Sequence, residues 1–144
     1  MAAAGRHKAA DIVDLVTIQH TVLPLGPVIW AAVEKAPGFT PEGLLAEIRR
    51  NAHYRDEELR SVPTLEPLES KSFYPRLWKI LSEAEAFVVR MPTDKVGVLF
   101  LKDSQVVQPD PDRLHEYTTH AGQRRGHWPS SPEIASAMLE RYRP

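Results

Sequence analysis

Thirteen prolines divide this chain of 144 residues into short segments. Proline fixes φ and carries no amide hydrogen, so it interrupts the interior of a helix but is accepted in a first helical turn. Pro24, Pro37 and Pro92 therefore mark the ends of predicted helices, whereas Pro27 is predicted to open one. The chain is expected to form several short helices joined by tight connections.

Apolar residues recur at the three- and four-residue spacing of a helix in six segments of the chain. The predicted helices are residues 9–23, 27–36, 41–50, 72–91, 111–120 and 132–142. Residues 51–70 contain two further prolines and are predicted to be a connection with at most one helical turn. Two apolar runs, 96–101 and 105–108, flank a short polar turn and predict a β-hairpin. The predicted fold class is mainly α with a small β-hairpin, a compact helical array that is α+β overall.

The clearest helix start lies at Thr40 and Pro41. Threonine is a good N-cap, and proline fits the first helical position. Phe39 before the cap and Leu44 inside the helix have the spacing of a hydrophobic staple. Phe39 is therefore predicted to be buried.

Composition restricts the class of protein. The net charge is −1 and cysteine is absent, so neither a global attraction to nucleic acid nor thiol chemistry is expected. No apolar run approaches the roughly 20 residues that span a bilayer. The N-terminus lacks the apolar core of a signal peptide. We expect a protein with no membrane association and a cytoplasmic location.

Two carboxylates stand three residues apart near the start of the chain. Asp11 and Asp14 share one face of the first predicted helix, where like charges repel. Arg6 and Lys8 precede them and supply the opposite charge. The structural interpretation is an acidic first turn that complements the helix dipole. The functional interpretation is a site for a cation or a nucleotide.

The pattern Arg-x-Lys-x-x-Asp-x-x-Asp-Leu of residues 6–15 resembles the last motif of AbiEii-like nucleotidyltransferases. These are toxin-type members of the polymerase-β-like superfamily, often paired with an antitoxin. The stretch from Lys35 to Leu45 also resembles the family, and the resemblance covers residues 6–60. The family's nucleotide-binding signature begins with Gly-Ser, a dipeptide that this chain lacks. The chain therefore resembles the helical C-terminal region alone.

The resemblance implies a role for each motif residue. Asp11 and Asp14 would be catalytic carboxylates, and Arg6 and Lys8 would bind nucleotide. A complete enzyme would use Mg²⁺ and a nucleoside triphosphate, whereas this chain alone is expected to hold no cofactor and to be inactive. The chain is expected to divide into residues 1–60, which resemble the family, and 61–144, packed on the first part as one unit. Its expected partner is an antitoxin or a separate catalytic half.

A second candidate site lies near the C-terminus. Arg124, Arg125 and Trp128 combine two cations with an aromatic ring, a set that can hold phosphates and stack a base of RNA, for example tRNA. The alternative is a polar loop fixed by a buried tryptophan. The spacing of His115, His120 and His127 fits neither a His-x-x-x-His helix pair nor a zinc-finger pattern, so no metal site is predicted.

Three hypotheses follow from the sequence. The first is a C-terminal fragment or truncated relative of a nucleotidyltransferase of the toxin–antitoxin or abortive-infection type, with substrate-framing helices. The second is a protein-interaction module without enzymatic role. The third is an RNA-binding accessory protein that uses the loop around Trp128.

Overall fold

The computed structural model describes residues 8–121. Within this range the chain forms five α-helices, three 3-10 turns and a three-stranded antiparallel sheet. The helices are α1 (Ala9–Thr21), α2 (Leu25–Ala32), α3 (Pro41–Asn51), α4 (Asp56–Arg60) and α5 (Ser70–Arg90); the strands are β1 (Val98–Lys102), β2 (Gln105–Val107) and β3 (Thr118–Ala121). The prediction of a mainly α fold with a small β element is confirmed.

Helix α5 is the longest element, and its apolar face packs against α1, α2 and α3. The buried residues follow the helical spacing: Phe73, Leu77, Ile80, Leu81, Ala84, Phe87 and Val88. The helix begins at Ser70, two residues before the predicted start, so Pro75 lies inside the helix rather than in its first turn. Pro75 lies in the second turn, where its missing amide hydrogen leaves the usual bond to the carbonyl of Lys71 unmade.

Helix α2 is apolar along almost its whole length because it lies between α5 and β1. It begins at Leu25 rather than at the predicted Pro27. Pro27 still falls in the first turn, where amide hydrogens have no partner within the helix. Gly26 allows the two helices to approach closely, since a Cβ atom at this position would lie 2.7 Å from the ring of Phe87.

The predicted start of α3 is confirmed. The Thr40 hydroxyl accepts a hydrogen bond from the Gly43 amide at 3.0 Å, and Pro41 occupies the first turn. Leu44 is buried, but the Phe39 side chain is 44% exposed. The prediction that Phe39 is buried is therefore wrong, because a ring at the residue before the cap faces outward here.

The sheet has the strand order β2-β1-β3 with both pairs antiparallel. Asp103 and Ser104 have positive φ values of 51° and 63°, which is the conformation of a tight two-residue hairpin turn. The predicted helix at 111–120 is wrong in its second half. A 3-10 turn (Pro111–Glu116) is followed by β3, whose β-branched Thr118 and Thr119 pair with the free edge of β1.

One hydrophobic cluster joins residues from both predicted parts of the chain, for example Ile12, Ile48, Leu81 and Phe100. The division at residue 60 stays a prediction. The predicted final helix, 132–142, lies outside the described residues. Among residues 8–121, no single helix is long and apolar enough to cross a membrane; α1 and Leu25–Lys35 would meet that condition only as a pair bent by 117°.

Candidate functional site

The N-terminal edge of α1 carries three of the four motif residues. Lys8 is the exposed residue immediately before the helix, Asp11 is half-buried in the first turn, and Asp14 is exposed one turn later. Asp14 forms no ion pair with any residue of the described range. Arg6 lies outside the described residues. We call Lys8, Asp11 and Asp14 the acidic edge.

Tyr54 is the buried neighbour of the acidic edge. Its side chain is only 8% exposed, and its hydroxyl has no hydrogen-bond partner within residues 8–121. Burial raises the pKa of the Tyr54 hydroxyl above its ordinary 10.0, and the negative charge of Asp11 raises it further, followed by Tyr74 and Glu58. The side chain of Tyr54 is therefore close enough to Asp11 for the charge of Asp11 to act on the Tyr54 hydroxyl.

Four side chains from α3, α5 and the residues after α3 form an aromatic surface, which we call the aromatic wall: Arg49, His53, Tyr74 and Trp78. The rings of Tyr74 and Trp78 stack with centroids 5.8 Å apart and planes inclined by 21°. The guanidinium of Arg49 lies 5.4 Å from the centre of the Trp78 ring. The ring of His53 lies 5.9 Å from that of Trp78.

Hydrogen bonds and an ion pair fix this surface in place. The Tyr74 hydroxyl accepts from the backbone amide of Tyr54 at 2.7 Å and donates to the carbonyl of the same residue at 2.8 Å. Arg49 donates to the Glu85 carboxylate at 3.0 Å. Tyr54 therefore joins the two surfaces, since its backbone holds the aromatic wall and its side chain lies near the acidic edge.

The first half of α5, which carries Tyr74 and Trp78, also carries positive charge. Residues 70–79 contain Lys71, Arg76 and Lys79, all exposed, and no acidic residue. Lys79 approaches Glu83 at 3.9 Å, but this pair is exposed and contributes little. Cations beside stacked aromatic rings form the arrangement that single-stranded nucleic acid binds, because phosphates and bases need different partners.

The aromatic wall was not predicted from the sequence. Arg49 and Tyr54 are followed in the sequence by three acids, Asp56 to Glu58, which balance the positive charge of this stretch. In the structure these three acids lie on α4. The available signal is the spacing of Tyr74 and Trp78, which places two aromatic rings one turn apart on a helix.

Two further predictions concern the C-terminal residues and metal binding. Arg124, Arg125 and Trp128 lie outside the described residues, so the loop predicted to bind RNA stays a prediction. Within residues 8–121, no group of three or more histidine or carboxylate side chains is placed to hold a metal ion.

No protein-family model, curated protein or solved structure matches this chain significantly. The resemblance of residues 6–60 to AbiEii-like nucleotidyltransferases therefore stays a prediction.

Proposed function

We propose that this chain is a non-catalytic, substrate-framing portion of a nucleotidyltransferase of the toxin–antitoxin or abortive-infection type. Its aromatic wall binds the end of an acceptor RNA, and its acidic edge faces a catalytic unit. That unit belongs to the same polypeptide or to a separate partner. It supplies the nucleoside triphosphate site and the carboxylates that complete the coordination of Mg²⁺.

One observation carries the proposal: Tyr54 lies between the acidic edge and the aromatic wall. The Tyr74 hydroxyl forms hydrogen bonds with the backbone amide and carbonyl of Tyr54. The negative charge of Asp11, together with burial, raises the pKa of the Tyr54 hydroxyl. A nucleotide stacked on Trp78 would thus be held by the same structural unit that carries the two carboxylates. Nucleotidyl transfer needs such an arrangement, because catalysis depends mainly on positioning and on stabilisation of charge.

The roles of the motif residues follow from their exposure. Asp14 is a solvent-facing carboxylate and is available to a cation held by another unit. Asp11 is half-buried and would lie beside the cation that Asp14 contacts. Lys8, with Arg6 before it, would neutralise phosphate oxygens of the nucleotide. Mg²⁺, when bound by the complete protein, would orient the triphosphate and stabilise the charge that develops in the transition state.

The first test uses the chain alone and a short single-stranded RNA labelled with a fluorophore. We expect the dissociation constant to rise steeply with salt, because bound phosphates release counterions. Labelled nucleotides, Mg²⁺ and bulk tRNA should yield no labelled product with the chain alone. Affinity that does not depend on salt would exclude the RNA surface, and robust labelling would show that the chain holds a complete catalytic site.

The second test uses the protein together with its catalytic unit. Asp14→Asn should abolish nucleotide transfer while the free energy of unfolding stays equal or rises, because one like-charge repulsion is removed. Glu42→Gln, an equally exposed carboxylate in the first turn of α3, is the matched control. Full activity of Asp14→Asn would leave the acidic edge as an ordinary helix start.

A further inference from the structure

A pocket of mixed chemistry lies between the first turn of α2, the second half of α5 and the segment that follows β2. Its volume is about 370 Å³, within the range of roughly 300–1,000 Å³ that small-molecule sites occupy. We call it the mixed pocket. No residue of its lining belongs to the acidic edge or to the aromatic wall. The polar lining consists of Gln19, Glu83, Arg90 and Gln108, and the apolar lining includes Leu25 and Phe87.

Glu83 and Arg90 supply the two charges of the mixed pocket. They are seven residues apart on α5, which is two helical turns, so they lie on the same side of the helix with their Cα atoms about 10 Å apart. Phe87 lies between them on that side and is buried. Opposite charges separated by an apolar surface match a ligand that has an amine at one end and a carboxylate at the other.

Both charged groups are able to bind a ligand without the loss of a strong contact. The Glu83 carboxylate is exposed, and its distance of 3.9 Å to the amine of Lys79 is too long for a hydrogen bond. Arg90 donates from Nη2 to the Asp112 carboxylate at 2.7 Å, which holds the guanidinium in place. The guanidinium has further N–H donors, and their planar arrangement suits a second carboxylate.

Two carboxamides add neutral hydrogen-bonding groups to the pocket. The Gln19 Oε1 atom accepts from the Leu25 amide at 2.7 Å, so this side chain is held in place while its NH₂ group remains a donor. The Gln108 side chain is exposed just after β2 and forms no hydrogen bond within residues 8–121. A carboxamide both donates and accepts, and it therefore complements a peptide bond, which has one donor and one acceptor.

The charges of the lining favour a zwitterion over a nucleotide. One carboxylate and one guanidinium leave the lining without net charge, and Asp112 adds a carboxylate beside Arg90. A negatively charged ligand would meet two carboxylates and one guanidinium, whereas a zwitterion pairs with Glu83 and Arg90 at once. Three extended residues span roughly 10 Å, which is comparable with the separation of Glu83 and Arg90 along α5. A short peptide with free ends thus fits the lining in charge, length and hydrogen bonding.

We propose that the mixed pocket binds a peptide of two or three residues with free ends. The amino group of the peptide pairs with Glu83, and its carboxylate pairs with Arg90. Its peptide bonds contact the carboxamides of Gln19 and Gln108, and an apolar side chain packs on Phe87. This binding requires neither RNA nor nucleotide transfer.

Isothermal titration calorimetry of the full chain with the tripeptide Ala-Leu-Ala tests the site at low salt, where exposed charges are least screened. Acetylation of the peptide's amino group or amidation of its carboxylate should each raise the dissociation constant roughly five- to tenfold, because a charge-assisted hydrogen bond is lost. ε-Aminocaproate has the same end charges but no peptide bond and should bind several-fold more weakly. Absence of binding at millimolar tripeptide would overturn the proposal.

Two variants test the orientation of the peptide. Glu83→Gln should weaken the free tripeptide but not the acetylated form, which has already lost this contact. Arg90→Gln should weaken the free tripeptide but not the amidated form, for the same reason. Circular dichroism checks that both variants are folded. The reverse pattern, or equal losses for all three peptides in both variants, would contradict the assigned contacts.

Matched controls separate the pocket from the general charge of the protein. Arg76→Gln changes an exposed arginine of α5 outside the pocket, and Glu42→Gln changes an exposed carboxylate of α3 outside it. Both variants should bind the tripeptide as the wild type does. Ala86→Leu fills part of the pocket without a change of charge and should weaken all three peptides several-fold.

Adenosine monophosphate serves as the competing ligand in the same titration. It should bind more weakly than the tripeptide, because the lining and Asp112 together contain more carboxylates than guanidiniums. Tighter binding of adenosine monophosphate, lost in Arg90→Gln and kept in Glu83→Gln, would assign the pocket to a nucleotide and overturn the proposal.

Discussion

Two tryptophans mark two regions of this molecule with opposite characters. Trp30 on α2 is 2% exposed, and its indole nitrogen donates to the carbonyl of Lys95 at 2.7 Å. Trp78 on α5 is half-buried and is surrounded by Tyr74, His53 and Arg49. The first ring belongs to the core and borders an apolar groove that Phe39, Val89 and Val96 also line. The second is a surface ring held in place by other aromatic and charged groups.

The difference concerns what each surface can bind. In the aromatic wall, neighbouring side chains stack, form a cation–π contact and share an ion pair, so the surface is ordered in advance of any ligand. In the apolar groove, Phe39, Val89 and Val96 have exposed apolar area that only another apolar surface can cover. A surface of the first kind suits a nucleic acid, and one of the second kind suits a helix.

The largest expected effect is a difference in the free energy of unfolding between variants of the two tryptophans. Trp30→Ala should lower the free energy of unfolding by about 3–5 kcal/mol, because it removes a fully buried ring. Trp78→Ala should lower it by only about 1–2 kcal/mol, the sum of one stacking and one cation–π contact. Urea unfolding of both variants measures this. Equal losses would mean that Trp78 is a core residue rather than a surface ring.

A smaller effect is expected where the helices that carry the two tryptophans touch. Gly26→Ala on α2 places a methyl group against the Phe87 ring of α5. The helices must move apart, so stability should fall by about 1–3 kcal/mol. Thermal unfolding monitored by circular dichroism measures the loss. An unchanged melting temperature would contradict the close approach of α2 and α5.

The helix start beside the groove gives the next effect. Thr40→Ala removes the side-chain cap on Gly43 and should cost about 1 kcal/mol in urea unfolding. Thr40→Ser keeps the hydroxyl and should stay close to the wild type. If both variants lose the same stability, the methyl group of Thr40 rather than its cap supports this end of the groove.

The smallest effect concerns Tyr54, which joins the aromatic wall to the acidic edge. Burial and the charge of Asp11 raise the pKa of its hydroxyl, so the folded state favours the neutral phenol. The phenol ionises more readily in the unfolded chain, and stability therefore falls as the pH rises above about 10. Tyr54→Phe removes this loss and also removes a buried hydroxyl without a partner in the described range.

The expected result for Tyr54→Phe is a gain of up to about 1 kcal/mol at neutral pH, with a weaker decline of stability between pH 9 and roughly 11. Urea midpoints across this pH range provide the comparison. Identical pH profiles for the variant and the wild type would place Tyr54 away from Asp11.

Local signals in the sequence were sufficient for most of the helices but not for the surfaces between them. Thr40 and Pro41 specify a helix start through contacts three residues apart, and the spacing of Leu77, Leu81 and Ala84 specifies a buried face. Strand β3 was not predicted, because it depends on pairing with the free edge of β1. The paired residues, for example Leu101 and Thr118, are seventeen or more positions apart in the sequence.

The candidate sites show the same division. The sequence placed Asp11 and Asp14 on one helix, as observed, but it contained no sign that Tyr54 would lie near Asp11. The aromatic wall brings residues of α3 together with residues of α5, and only tertiary packing creates such a surface. Phe39, expected inside, is 44% exposed, because the ring at the residue before the Thr40 cap faces outward.

The most direct test of the central claim compares RNA binding by variants of two aromatic residues, half-buried Trp78 and exposed Phe39. Trp78→Ala removes the principal ring of the aromatic wall, and Phe39→Ala removes an exposed ring that is not part of this wall. Fluorescence anisotropy with a short single-stranded RNA at low salt should show affinity reduced about 5- to 150-fold for Trp78→Ala, as loss of one stacked base predicts. Phe39→Ala should bind as the wild type does. Equal affinities for the wild type and Trp78→Ala, with both proteins folded, would contradict the account.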